Sequence, residues 1–193
     1  MKKIRNKTAL IILSLIIFTI SCGSISVRKD PINNSTVVTL KEFYYFNNKM
    51  NGFTYITYIN EIKDNKNKFK MKIEYKTDRH NESKNISKKS FFNINGKKYD
   101  LIVNSAANKS DLSIEGERTG KFERNTYNED IDLKAKMEKT FYGTINLSEG
   151  IFDAIKVAKS VSFRFFLNDK PLTITMSESS INKLKEFVNT KPK

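Results

Sequence analysis

Few residues in this chain have a type and spacing suited to chemistry. There is one histidine, His80, within Asp78-Arg79-His80-Asn81-Glu82, and one cysteine, Cys22. A nitrogen and sulfur metal site needs three or four such ligands, so one His and one Cys cannot build it. An oxygen-only site would need a loop of converging carboxylates of the EF-hand kind, and the sequence has no such loop. His80 could take part in a Ser-His-Asp relay only beside a framed serine, and no Gly-x-Ser-x-Gly elbow occurs. A solvated loop histidine is the simpler reading. The carboxylates open to nomination as a glycosidase pair are Glu115 and Glu117 around Gly116, and Glu129, Asp130 and Asp132. Such pairs meet only in the fold, and the chain has no Trp to act as a sugar platform. Seven glycines, with no Gly-x-Gly-x-x-Gly run and no Walker loop, offer no phosphate cradle. The sequence therefore predicts no catalytic residue, no metal and no cofactor.

The remaining chemistry is charge. Lys and Arg number 35 against 21 Asp and Glu, a net +14 over 193 residues. The bases are 29 Lys and only 6 Arg, and Asn and Ile are equally abundant at 21 and 22, so A/T-rich codons account for much of the bias. Clusters stand at Lys84/Lys88/Lys89, Lys97/Lys98 and Arg118/Lys121/Arg124, with a comb of Lys68, Lys70, Lys72 and Lys76. A field of this sign attracts nucleic acid, anionic lipid or acidic polymer. Within the comb, however, Phe69, Met71, Ile73 and Tyr75 fall on the opposite parity, so that strand has no ring beside its lysines for a base to stack on. Nucleic acid is the disfavoured partner. The comb reads most simply as a solvated strand face that discourages edge pairing.

The elements that must position these residues begin with an address. Residues 1–7 carry four positive charges and no negative one, and 9–20 are a nearly unbroken apolar run. Twelve helical residues rise about 18 Å, too little for a hydrocarbon core of about 30 Å, so the run fits a cleaved export signal over 1–21 better than a permanent span. It ends Thr19-Ile20-Ser21-Cys22-Gly23. These residues resemble the lipobox of bacterial lipoproteins, with Thr19 where Leu is usual. The resemblance implies that Cys22 becomes the first residue and is acylated through its sulfur, with palmitate among the expected chains. It also implies a lipid-anchored place in the cell envelope, on the outer membrane or the outer face of the cell membrane. With the signal's four bases removed, the net charge falls from +14 to +10.

Residues 22–35 are polar and contain Pro31, and they read as the lipidated Cys and a tether. The rest, 36–193, is expected to form a single domain. Alternation predicts strands at 52–59 and 68–76, joined as a hairpin, and at 90–94 and 97–103 around Asn95-Gly96, a type I′ turn. Further strands are expected at 110–115, 131–137, 141–147, 161–167 and 172–176, with a long polar loop at 116–130. Helices are predicted at 149–159, with Ile151, Ile155 and Ala158 on one stripe, and at 180–189, with Ile181, Leu184 and Val188 inward. The fold class is α+β: a mainly antiparallel sheet with two short C-terminal helices.

The function expected from this reading is a non-enzymatic binding or structural domain held at a membrane. Its partner would be a protein or an envelope polymer. The alternatives are a hydrolase of envelope polymers and a carrier of a hydrophobic ligand.

Overall fold

A computed structural model describes residues 23–46, 52–64, 66–77, 85–123 and 126–191, with side chains described outside 113–136. Nine strands follow in chain order: β1 (Ser24–Asp30), β2 (Ser35–Phe46), β3 (Gly52–Lys63), β4 (Lys66–Thr77), β5 (Ile86–Ile94), β6 (Lys97–Glu123), β7 (Thr126–Leu147), β8 (Val161–Leu167) and β9 (Lys170–Thr175). Helix α1 (Glu149–Lys156) stands between β7 and β8, and α2 (Glu178–Asn189) follows β9. All described pairings are antiparallel, in the order β1-β2-β3-β4-β7-β6-β5-β8-β9. The sheet curls into a half-barrel, and the expected α+β class with two C-terminal helices is what forms.

Local chemistry explains the turns. Asn95 at φ 51° and Gly96 at φ 83° make the expected two-residue turn between β5 and β6. Asn95 also ties this turn to the segment after α1, because its Oδ1 accepts from the Lys159 and Ser160 amides at 2.7 and 3.1 Å. Asp64 and Asn168, both at φ near 50°, turn β3 into β4 and β8 into β9.

One face of the sheet is covered by the two helices. Phe152 of α1 stacks on Phe69 of β4, with ring centroids 3.4 Å apart, and Phe187 of α2 lies 6.1 Å from Tyr58 of β3. Ile151 and Ile155 are buried from α1, and Ser180, Ile181, Leu184 and Phe187 from α2. The second stripe is thus centred on Phe187, and Val188 is only half-buried. Ser177 caps α2 by accepting from the Ser180 amide at 3.2 Å.

Three expectations are corrected. The stretch 23–35 is not a free tether: Ser24–Asp30 pairs along its whole length with β2 as an edge strand. The polar loop at 116–130 is the far part of a hairpin in which β6 and β7 run unbroken from the sheet, pairing out to Glu123 and Thr126. From Asp111 and Glu138 outward these two strands pair only with each other, forming an arm about 40 Å long at the usual rise per residue. Strand β4 is not at an edge, so its lysines have no edge to protect: β3 pairs one side and β7 the other.

Candidate functional site

The outer face of the sheet, opposite the helices, collects what the sequence reading kept apart. Alternation along β2 puts Val38, Leu40, Glu42 and Phe46 inward, and Thr39, Lys41, Phe43 and Tyr45 outward. The register then sets Phe43 opposite Tyr55 and Tyr45 opposite Phe53 of β3, and these in turn oppose Glu74 and Lys76 of β4. Phe43 lies 5.6 Å from Phe53 and 5.3 Å from Tyr55 between ring centroids, in tilted contacts that favour aromatic pairs. The Lys41 ammonium stands over the Tyr55 ring. Phe43 remains 53% and Tyr45 65% exposed, although each is paired on the outer face. Lys70 and Lys72 continue the face along β4, opposite Ile59 and Thr57.

The lysine comb therefore does share a surface with aromatic rings. The rings come from β2 and β3, across the hydrogen-bonded ladder, rather than from the comb's own strand. The strands predicted from periodicity do not include β2 (Ser35–Phe46), so they do not point to Lys41, Phe43 and Tyr45. Its alternation of Thr39, Lys41, Phe43 and Tyr45 against Val38, Leu40 and Phe46 was the available signal. The other half of the outer face carries a second ring among cations, Phe91, with Lys98 at 4.9 Å and Arg164 at 5.4 Å. That ring is half-buried rather than open.

Behind the patch, on the inner face, lies a buried polar cluster. Glu42 is 2% exposed and accepts from the Tyr44 hydroxyl at 2.5 Å. Burial raises the Glu42 pKa above its ordinary value, and the Tyr44 and Ser180 hydroxyls and the Lys183 ammonium offset only part of that rise. Burial beside this carboxylate also raises the Tyr44 and Tyr58 phenols, Tyr58 being wholly enclosed. Lys183 donates to the Gly23 carbonyl, so the cluster fastens the first described residue to α2.

Large aromatic side chains crowd the inner face. Tyr58, Tyr75, Phe92, Phe163, Phe165 and Phe187 are the largest side chains wholly out of solvent. Two open cavities lie at its margins. One of about 630 Å³ is lined by Gly96, Ser160, Met176, Glu178 and Lys185 among others, and one of about 530 Å³ by Asn60, Phe69, Asp153, Lys156 and Lys191 among others. Both linings mix charged, polar and apolar groups.

Of the nominated residues, Cys22 and His80 lie outside the described residues. The backbone of the arm sets Glu117 opposite Asp132 and Glu115 opposite Lys134, while Asp130 faces Thr119 and Glu129 faces Gly120. Among the described residues no group of His, Cys, Asp and Glu is placed to hold a metal ion, and no helix is long and apolar enough to cross a membrane. Comparison with family models, with curated proteins and with solved structures finds no match.

Proposed function

We propose that this chain is an envelope lipoprotein, anchored through acyl chains on Cys22, whose folded part is a non-enzymatic binding or structural domain acting through its outer sheet face. The observation that carries the second half is the patch of Phe43, Tyr45, Phe53 and Tyr55 with Lys41 above it, two of whose rings lie open on an uncovered sheet face. Exposed aromatic surface of this kind is costly to keep in water and marks an interaction site. The large aromatic side chains buried on the inner face favour a surface role over a carrier, which would need an enclosed apolar volume. The first half rests on the basic n-region, the apolar run and the one thiol at the lipobox position.

Cys22→Ala tests the anchor. The substituted protein should leave carbonate-washed membranes, where wild type stays. Equal retention of the two would refute anchoring through this residue.

A further inference from the structure

A free tether would hold the domain off the bilayer and let it turn. Among the described residues there is no such tether. Gly23 is held by Lys183 of α2, and a Cβ built on it would come within 3.3 Å of Leu40 Cδ1 and 3.4 Å of Glu42 Cγ. Ser24 pairs with Lys41, so β1 begins level with the end of β2 that carries Phe43 and Tyr45. In the sequence Cys22 is bonded directly to Gly23. With neighbouring strands about 4.8 Å apart, the described chain starts at Gly23 within about 10 Å of Phe43.

We infer that the outer patch of Lys41, Phe43, Tyr45, Phe53 and Tyr55 rests on the anionic bilayer in which the Cys22 acyl chains are buried. The inference rests on the anchored-domain reading and names the partner of its surface. An anchor beside the patch makes the second contact intramolecular, so even weak attraction persists. Aromatic rings that are apolar on their faces and polar at their tips settle at the headgroup level. Lysines close to the surface are drawn to anionic lipid, and Lys41, Lys70 and Lys72 share this face. An acidic envelope polymer would meet the same groups, but nothing in the fold places a polymer beside Gly23, whereas the anchor places the bilayer there.

The chain has no Trp, so a single one reports its own depth. Full-length lipidated Tyr45→Trp and Phe91→Trp proteins are reconstituted in vesicles of phosphatidylcholine with phosphatidylglycerol, with or without brominated acyl chains. The Tyr45→Trp emission should fall about twofold on bromination, the Phe91→Trp emission should not change, and adding Lys41→Gln and Phe43→Ala should abolish the Tyr45→Trp quenching. Co-sedimentation with vesicles reads the anchor separately. Protein that sediments with vesicles yet shows no Tyr45→Trp quenching, or equal quenching at both sites, overturns the docking and leaves the anchor standing. Protein that does not sediment overturns the anchor itself. A Tyr45→Trp signal that answers to soluble heparin and not to brominated lipid overturns the bilayer in favour of a polymer.

Discussion

The Lys41 ammonium lies 4.3 Å from the centroid of the Tyr55 ring, across the β2–β3 ladder and on the face turned away from the helices. A cation held over a ring spends part of its attraction there and keeps the rest for an anion outside. It thus joins two features that strand periodicity alone assigns to separate places: an aromatic cluster and a run of lysines.

If the basic charge were only compositional, removing any three lysines would weaken binding to anionic vesicles equally. The shared face makes position matter, because charges act within a Debye length of about 8 Å at physiological salt. Replacing Lys41, Lys70 and Lys72 by Gln should lower vesicle affinity about tenfold or more. Replacing the exposed Lys88, Lys89 and Lys159, at the same cost in net charge, should lower it far less. Equal losses would return the charge to composition.

Glu42 sets a pH dependence. Its pKa is raised mainly by burial, so the folded state holds this proton more tightly than the unfolded chain, whose ordinary value is 4.5. A raised pKa contributes stability that is complete below 4.5 and is lost as pH climbs through the folded value. Glu42→Gln stays neutral and can still accept from Tyr44. It should melt higher than wild type at pH 7, and the gap should close as pH falls towards 4.5. A gap that ignores pH would show that the carboxylate is ionised at no net cost.

The Asn95-Gly96 turn is tested at Gly96, where φ is 83° and a Cβ would meet nothing within 4 Å. Any effect of Gly96→Val is therefore conformational rather than a clash. It should cost about 1–3 kcal/mol, read as a lower denaturation midpoint with an unchanged slope. No change would mean that the turn readily adopts another shape.

These sites differ in how plainly the sequence announced them. Asn95-Gly96 is legible because only a few residue types accept that backbone, and the alternation at 68–76 is legible because one face of β4 is core. Strand β3 is different. Both of its faces are apolar or aromatic, so parity gives Phe53 and Tyr55 the same standing as Ile56 and Tyr58. What decides between them is the pair of helices, which cover one face and leave the other bare. The polar residues of 116–130 read as loop because Glu, Arg, Lys, Asn and Asp there break the alternation by which strands are recognised, and only their pairing within the β6–β7 hairpin reveals them as strand. Strand β1 was hidden for a related reason: as an edge strand it needs β2 on one side only, and Pro31 and the asparagines that end it resemble tether composition. Alternation within β2 sets Lys41 beside Phe43 and Tyr45, but the rings of β3 and the lysines of β4 join them only through the β2–β3–β4 register.

The most direct measurement is the mass of the N-terminal peptide of the protein purified from bacterial membranes. The chain should begin at Cys22 and carry acyl mass on that residue. A chain that still begins at Met1, or one cut elsewhere with an unmodified Cys22, would contradict this expectation.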